Sequence, residues 1–364
     1  MFSHRVQVTP DHNLALDLVR TTEAAALAAA GWIGRGDKNG ADQAAVDAMR
    51  LLFNSIPFDG VVVIGEGEKD EAPMLYNGER LGAGSPPSVD VAVDPIDGTR
   101  LASRGEGNAV SVVAVSERGT MFDPGPCFYM EKLVVGPEGR GAIDLEAPIE
   151  ENVRKLAKAT GMNVADLTVL TVDRERHNEV IERVRAIGAR VHLIPDGDVA
   201  GAVAAASRGT GIDMLYSIGG TPEGVIAAAA LRCLGGEIQG RLRPRSDAER
   251  KAVLDAGYDL GKILRTDDLV KGNDVFFAAT GITDGSLLRG VRYNIEGATT
   301  ESLVMRSRSG TIRTIKAEHR WEALHPVRSG EFAPPRSKEL PASRVPPILK
   351  SSGRSENPGE SKAP

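Results

Sequence analysis

The chain has 364 residues, an apolar fraction of 41% and a formal net charge of −6. This length exceeds what one simple hydrophobic core usually serves, so we expect two packed halves of a globular protein. The acidic balance argues against a nucleic-acid-binding surface and against an anionic-membrane surface.

Compartment is indicated by two further features of the sequence. No apolar run is long enough to span a bilayer, and the N-terminal residues carry no signal-like apolar core. The cysteines, Cys127 and Cys233, are far apart and form no C-x-x-C pattern. We therefore expect a cytoplasmic protein that contacts no membrane and whose thiols are reduced.

Helical and strand patterns alternate along the chain and predict an α/β protein. In the first half we predict helices at 13–30, 42–56 and 149–160, and strands at 60–64, 91–93, 108–115 and 128–135. In the second half, three strand–turn–helix units are predicted at 167–187, 190–206 and 212–234, followed by short β segments at 275–280, 303–306 and 311–317. We expect an N-terminal half over 12–160, a C-terminal half over 161–322 and a disordered, Pro- and Ser-rich tail over 323–364.

The motif Asp94-Pro95-Ile96-Asp97-Gly98-Thr99 follows a buried Val-Ala-Val strand. Pro95 lacks an amide donor, so we expect the strand to stop there and turn. A turn can bring Asp94 and Asp97 to one point, and the amides of Gly98 and Thr99 can approach an anion. Because two carboxylates repel a bare phosphate but attract one through bound cations, the motif favours a metal-dependent phosphate site.

A second acidic strand end lies just upstream, in Gly65-Glu66-Gly67-Glu68-Lys69-Asp70-Glu71. Two such ends on neighbouring strands can supply the several hard oxygen ligands of a multi-metal site. Structural interpretations remain open for each candidate: Asp97 and the Asp196/Asp198 pair can cap helices, and Glu223 can be an ordinary first-turn residue. Arg174 and Arg176 are either a phosphate clamp or a solvated pair.

Several other chemistries are disfavoured. The sequence has no G-x-x-x-x-G-K-[ST] loop and no histidine spacing typical of zinc sites. Phosphatases that form an aspartyl-phosphate carry D-x-D-G-T, but Pro95 stands two residues before Asp97. The earlier carboxylate, Asp94, is displaced by one residue, which disfavours a covalent phosphoenzyme.

Residues 14–317 resemble the class II fructose-1,6-bisphosphatases of the bacterial GlpX type, within the lithium-sensitive sugar-phosphatase superfamily. The matching motifs are GRGDK at 34–38, VIGEGE at 63–68, EAPMLY at 71–76, DPIDGT at 94–99, YMEK at 129–132, PDGDVA at 195–200, GGTPEG at 219–224 and ATGIT at 279–283. Several members carry Glu where Asp97 stands, and the segment around Arg174-Glu175-Arg176 is more variable.

This resemblance implies a layered α/β/α/β/α fold, a homodimer or homotetramer, and a requirement for Mg²⁺ or Mn²⁺. The implied metal ligands are Asp42, Glu66, Asp94, Asp97 and Glu223. The implied substrate-binding residues are Asp97, Gly98 and Thr99 at the scissile phosphate, and Tyr129, Arg174, Glu175, Arg176, Asp196, Gly197, Asp198 and Gly220 around the sugar and its distal phosphate.

The implied reaction is hydrolysis of the 1-phosphate of fructose 1,6-bisphosphate in gluconeogenesis, by direct attack of a metal-activated water. Thr99, with Glu68 or Asp70, is expected to orient or deprotonate the water, and Lys38 to neutralise charge near the leaving group. Alternatives are a phosphatase for sedoheptulose 1,7-bisphosphate or inositol phosphate, and a non-catalytic sugar-phosphate sensor.

Overall fold

The computed structural model describes residues 13–67 and 74–320, in which helices and strands alternate as predicted. Its helices are α1 (Ala15–Ala30), α2 (Lys38–Phe53), α3 (Thr99–Arg104), α4 (Ile149–Thr160), α5 (Asn178–Ala186), α6 (Asp198–Ala206), α7 (Thr221–Leu234), α8 (Asp247–Asp255) and α9 (Thr266–Leu269). Its strands are β1 (Asp59–Ile64), β2 (Arg80–Leu81), β3 (Ser88–Asp97), β4 (Val110–Glu117), β5 (Tyr129–Val135), β6 (Thr168–Val172), β7 (Arg190–Ile194), β8 (Met214–Gly220), β9 (Glu237–Leu242), β10 (Leu264–Arg265), β11 (Phe276–Gly281), β12 (Arg292–Tyr293), β13 (Gly297–Arg306) and β14 (Thr311–Arg320). The predicted tail, 323–364, lies outside the described residues.

Local signals account for where the first two helices begin. The side chain of Asn13 accepts a hydrogen bond from the Ala15 amide (3.0 Å) just before α1 begins, and so satisfies one amide that the helix leaves without a partner. The second helix begins at Lys38, four residues earlier than predicted, because the Asp37 carboxylate caps it by accepting from the Gly40 amide (2.9 Å). The glycine-rich turn therefore ends sooner, and Asp42 lies within the helix, one turn beyond Lys38.

Two mixed sheets are formed. The first has the order β12-β13-β11-β4-β3-β1-β2, with β14 paired to β13, and its only parallel pair in the described part is β1 with β3. The second has the order β10-β9-β5-β8-β6-β7, in which β6 runs parallel to both β7 and β8. The three strand–turn–helix units predicted over 167–234 are thus confirmed as the parallel part of the second sheet.

The sheets and helices stack as α/β/α/β/α, which confirms the predicted fold class. Helices α1 and α2 cover one face of the first sheet, α6 and α7 lie between the two sheets, and α4 and α5 cover the far face of the second. Strand alternation explains this packing: Val113 and Val115 of β4 face the α1/α2 core, whereas Val112 and Ala114 face the α6/α7 core.

Neither sheet follows the boundary predicted between residues 160 and 161. Strand β5 precedes that boundary but belongs to the second sheet, and β11 to β14 follow it but complete the first sheet. The described residues accordingly form one compact unit. None of the described helices is both long and apolar enough to cross a membrane.

A buried carboxyl group lies where α1 packs on the first sheet. Glu23 is 8% exposed and accepts a hydrogen bond from the Thr300 hydroxyl (3.4 Å). Burial is the main cause that raises its pKa from 4.5 to about 7. Because the folded pKa is the higher one, Glu23 favours the folded state at low pH, and that contribution is lost as the pH rises through about 7.

We expect Glu23→Gln to raise the melting temperature at pH 8 and to leave it nearly unchanged at pH 5. Glutamine keeps the contact with Thr300 without a charge, and a gain of about 3 kcal/mol at pH 8 follows from the rise of the Glu23 pKa from 4.5 to about 7. Thermal unfolding of the wild type and the variant across this pH range measures it, and the comparison cancels the titration of nearby His319. An equal shift at both pH values would show that the effect is not electrostatic.

Candidate active site

The carboxyl ends of two parallel strands bring the acidic motifs together. Strands β1 and β3 pair in parallel, so Glu66, just past β1, lies at the same sheet edge as Asp94. The register of the pair shifts between Val62 and Ile64, and Ile64 packs towards α6 and α7 whereas Val62 packs towards α1 and α2. This irregularity changes which face the chain presents as it leaves the sheet.

The prediction that the strand stops at Pro95 is wrong, because β3 continues to Asp97. Pairing between β3 and β4 is interrupted after Asp94 and resumes at Asp97, which pairs with Val110. Proline is accommodated because it falls in this irregularity. Within it, the Ile96 amide donates to Asp94 Oδ1 (3.0 Å). Directly after Asp97, Gly98 turns the chain with a φ of +92°. The irregularity and the turn are what hold the two carboxylates on one side.

Helix N-termini surround these carboxylates. Asp97 Oδ2 accepts a hydrogen bond from the Ala200 amide in the first turn of α6 (3.3 Å). Thr99 begins α3, where its hydroxyl donates to the Ile96 carbonyl (3.1 Å) and also lies close enough to Asp42, in the second turn of α2, to offset part of the rise in the pKa of that carboxyl. Glu223 lies in the first turn of α7. The N-terminal ends of three helices, α3, α6 and α7, therefore lie at the acidic cluster, and they favour bound anions near it.

All five predicted metal ligands interact electrostatically in the folded chain. Burial raises the pKa of Asp42 to about 6, and burial together with Asp42 and Glu223 raises the pKa of Glu66 to about 7. Burial, then Asp97, Glu66, Glu223 and Asp42, raises the pKa of Asp94 well above its ordinary range. The pKa values of Asp97 and Glu223 are also raised, chiefly by burial. Such a cluster is costly without a cation.

The donor set fits hard divalent cations. Every member is a carboxylate, and Glu223 Oε2 is buried without a hydrogen-bond partner in the described part of the chain. A Cβ atom on Gly220 would lie 1.7 Å from that oxygen, so the missing side chain is what lets Glu223 occupy this position. No three His, Cys, Asp or Glu side chains within 13–67 and 74–320 converge to enclose a metal ion. The carboxylates are thus neighbours that do not form a closed coordination shell.

A cavity of about 440 Å³ opens beside the cluster, and Asp97 and Glu223 form the wall that the two share. It brings together most of the predicted substrate-binding residues: Asp97, Tyr129, Arg174, Arg176, Asp196, Gly197, Asp198 and Gly220. Glu175 instead lines an adjoining surface depression together with Arg174 and Arg176. Gly98 and Thr99 lie at the cluster, and Lys38 is close enough to Asp42 to lower its pKa. Glu68 and Asp70 lie outside the described residues.

Three guanidinium groups, those of Arg174, Arg176 and Arg245, also line the cavity. Arg176 and Arg245 each lie 5.3 Å from the centroid of the Tyr129 ring. Arg176 is fixed by two hydrogen bonds to the Ile218 carbonyl (2.9 and 2.7 Å), and Arg174 by one to the Asp173 carbonyl (3.0 Å). These anchors orient the groups while leaving other N–H donors directed elsewhere, as anion recognition requires.

Arg245 was missed because the segment containing β9 and α8 was not predicted. Its Nε donates to Glu249 Oε2 (3.2 Å), and its guanidinium also stacks over Phe128 at 4.3 Å. The Arg-Pro-Arg-Ser-Asp run at 243–247 was the available signal, since Ser246 caps α8 by accepting from the Glu249 amide.

Lys132 was also missed as a site residue. It is 2% exposed on β5, its ammonium lies 2.6 Å from Asp198 Oδ2, and it donates to the Gly220 carbonyl (3.0 Å). Ser217 donates to the same Asp198 oxygen (2.8 Å). A lysine within the apolar strand Tyr129–Val135 was the available signal, because a buried cation needs a paired carboxylate.

Comparison with known proteins agrees with this arrangement. A family profile described as "Bacterial fructose-1,6-bisphosphatase, glpX-encoded" matches residues 12–319. The chain belongs to this family. It is 47% identical over 327 residues to fructose-1,6-bisphosphatase class 2 of Haemophilus influenzae, covering 86% of this chain and 98% of the relative. It is 46% identical over 319 residues to fructose-1,6-bisphosphatase 1 class 2 of Escherichia coli strain K12, covering 84% and 95%. The resemblance seen in the motifs is thereby confirmed across nearly the whole described chain.

Proposed function

We propose that this protein hydrolyses fructose 1,6-bisphosphate to fructose 6-phosphate and phosphate. The observation that carries the proposal is the presence of two kinds of anion-binding group in one cavity: carboxylates of the buried cluster and three guanidiniums line the same walls. A substrate with two phosphates matches both, because one phosphate needs cations to approach carboxylates and the other binds arginines directly. The names of the relatives supply the sugar between the two phosphates.

The carboxylates of Asp42, Glu66, Asp94, Asp97 and Glu223 would hold the divalent cations that this phosphatase family implies, Mg²⁺ or Mn²⁺. Bound there, such ions neutralise phosphate oxygens and acidify water. The backbone at Gly98 and Thr99 would accept the scissile phosphate at the start of α3. Within the cavity, Asp196 and Asp198 would accept hydrogen bonds from sugar hydroxyls.

Four side chains are proposed to act on the reacting atoms. Thr99 would orient the attacking water through its hydroxyl, with Glu68 or Asp70 taking up the proton. Lys38, beside Asp42, would offset the charge that develops as the bond between phosphorus and the sugar oxygen breaks. We further propose that the protein works in the cytoplasm, in gluconeogenesis, as a homodimer or homotetramer.

A substrate panel tests the proposal. Phosphate release is measured with fructose 1,6-bisphosphate, sedoheptulose 1,7-bisphosphate, fructose 1-phosphate and inositol phosphate under the same Mn²⁺ concentration. We expect the highest kcat/KM for fructose 1,6-bisphosphate. Release from inositol phosphate alone would contradict the proposal, and tight binding of the bisphosphate without any phosphate release would indicate a sensor.

Removal of divalent cations is expected to abolish turnover and to lower the melting temperature. Without cations the buried carboxylates repel each other. A cation that binds only the folded state and is present at 100 times its dissociation constant stabilises the fold by about 2.7 kcal/mol. Activity and thermal unfolding are measured in the untreated protein, after exhaustive chelation, and again after adding Mn²⁺ or Mg²⁺ to the chelated protein. Full turnover in the chelated protein would contradict the assignment of the cluster.

Arg245→Gln is expected to raise the KM for fructose 1,6-bisphosphate by about tenfold, the worth of one charge-assisted hydrogen bond, with little change in kcat. Arg245→Lys should recover part of the loss. Arg243→Gln is the matched control, because Arg243 pairs with Glu131 (3.2 Å) and does not line the cavity. An equal loss with fructose 1-phosphate, which lacks the distal phosphate, would show that Arg245 acts elsewhere.

A further inference from the structure

A fully buried histidine lies behind Arg176, one of the arginines that line the cavity. His177 is 0% exposed, and both of its ring nitrogens have backbone partners. Nε2 accepts a hydrogen bond from the Ile218 amide (2.9 Å), and Nδ1 lies 2.6 Å from the Val172 carbonyl. An amide can only donate, so Nε2 carries no proton, and the proton on Nδ1 is donated to Val172. The contacts therefore require the neutral imidazole in one tautomer.

The backbone of Ile218 links this imidazole to the cavity. Its N–H, in the peptide bond from Ser217, donates to His177, and its carbonyl, in the peptide bond to Gly219, accepts both hydrogen bonds that anchor Arg176. His177 and Arg176 are neighbours in the three-residue helical turn Glu175–His177, so this turn and strand β8 are joined by a closed ring of hydrogen bonds. The backbone position of one residue, Ile218, thus depends on the imidazole and determines where the guanidinium points.

We propose that neutral His177 is a positioning residue: it holds the Ile218 backbone so that Arg176 faces the ligand, and protonation of His177 weakens binding of the substrate phosphate that Arg176 contacts. A proton on Nε2 would place two donors, Nε2–H and the Ile218 N–H, against each other, so the Ile218 backbone would have to move. Arg176 would then lose its hydrogen bonds to the Ile218 carbonyl, and its side chain could rotate away. This inference rests on the proposed function, because it takes Arg176 to bind a phosphate.

The groups around the imidazole determine the pH at which it gains a proton. Burial is the main cause that lowers its pKa, and Arg176 and Arg174 of its own segment act in the same direction. Asp198 of α6 opposes them, as does the hydrogen bond to the Val172 carbonyl of β6. From β8, the Tyr216 ring packs edge-on at 6.0 Å between centroids. Protonation is therefore expected below the usual imidazole range, at acid pH.

The first experiment compares the pH dependence of KM and kcat for fructose 1,6-bisphosphate in the wild type and His177→Gln. Glutamine offers one donor and one acceptor but does not titrate in this range. We expect the two KM values to agree within about threefold at pH 8. Once the pH falls below the pKa of His177, the wild-type KM should rise more steeply than that of the variant, by up to about tenfold for each further pH unit. Protonation of the substrate and of the metal-binding carboxylates affects both proteins alike, so it cancels in the ratio of the two KM values. His192→Gln, at an exposed position on β7, is the matched control and should follow the wild type.

The second experiment removes both hydrogen bonds while keeping a ring against Tyr216. His177→Phe is expected to raise KM at pH 8 by about tenfold with kcat nearly unchanged. In an Arg176→Gln background it should add little, because both changes remove the same anchor. If the Phe variant fails to fold, ¹⁵N NMR of the His177 ring in the wild type replaces it. The neutral tautomer with its proton on Nδ1 should persist at pH 6.

The outcomes separate this inference from the proposed function. Parallel pH profiles for the wild type and His177→Gln, additive effects in the Arg176→Gln background, or a protonated His177 at pH 7 would each overturn the role of His177. A wild-type protein that releases no phosphate from the bisphosphate at any pH would instead overturn the proposed function.

Discussion

Thr99→Ala is expected to lower turnover by about 10²–10⁴, the range typical of one positioned proton-transfer group, with a KM close to that of the wild type. The variant keeps the Asp94 and Asp97 carboxylates and the backbone amides at the start of α3. It loses the hydroxyl that contacts both the Ile96 carbonyl and the Asp42 side chain. Binding should therefore persist while the chemical step slows. Steady-state kinetics with fructose 1,6-bisphosphate measures both parameters.

Two control variants separate the chemical role of Thr99 from its structural one. Thr99→Ser retains the hydroxyl and should recover much of the loss. Ser103→Ala removes a matched hydrogen bond in the same helix, from Ser103 to the Arg100 carbonyl (3.0 Å), and should leave turnover nearly unchanged. Unchanged turnover in Thr99→Ala would transfer the water-orienting role to Glu68 or Asp70.

Acid quench with labelled substrate tests the same site for a covalent intermediate. We expect no phosphate to remain attached to the wild type or to either Thr99 variant, because Pro95 stands where an aspartyl nucleophile would be needed. A trapped, acid-stable but alkali-labile phosphoenzyme would contradict direct attack by water and would identify Asp94 or Asp97 as the nucleophile.

Asp94→Asn is expected to lower turnover by about a hundredfold or more, because the loss of a ligand perturbs the metal-bound site. The same change should stabilise the metal-free protein above pH 7. Burial and four neighbouring carboxylates raise the pKa of Asp94, so its ionised form is unfavourable in the fold and asparagine relieves that cost. Turnover at saturating Mn²⁺ and thermal unfolding in chelator measure the two opposite effects. Glu66→Gln should behave in the same way.

Asp90→Asn provides a contrast on the same strand. Asp90 is 1% exposed, but it accepts from the Thr120 and Met121 amides (2.9 and 3.2 Å) and lies 3.6 Å from Arg118. Its substitution should destabilise the protein and leave kcat close to the wild type. If Asp94→Asn also destabilised the metal-free protein and kept its turnover, Asp94 would have a structural role like that of Asp90.

Local patterns in the sequence were sufficient for the elements that carry the candidate site. Apolar runs predicted the strands that end near Glu66 and Asp94, and helical spacing predicted 149–160, which the structure confirms as α4. The three parallel units from β6 to α7 were equally clear, because each buried strand is followed by a turn and an apolar helix. Such signals depend on neighbouring residues alone.

Chain segments distant in sequence decided what these signals could not. Strand β9 and helix α8 are short and polar in places, so they were not predicted, and Arg245 with them. The division into halves could not be read along the chain either, because β5 pairs with β8 and β9 whereas β11 returns to pair with β4. Pairing of this kind is determined by the whole fold and leaves no local pattern.

The sequence by itself determined the chemistry available at the site: carboxylates at strand ends, arginines after a strand, and the motifs that place the chain among the bisphosphatases. Only the tertiary structure decided which of these groups meet. It joined the two acidic strand ends through a parallel pair, placed Glu223 among them, and set Arg176 and Arg245 against the same tyrosine ring. The physical reason is burial: a carboxylate cluster, a paired lysine and a neutral histidine acquire their properties from the groups that exclude water around them.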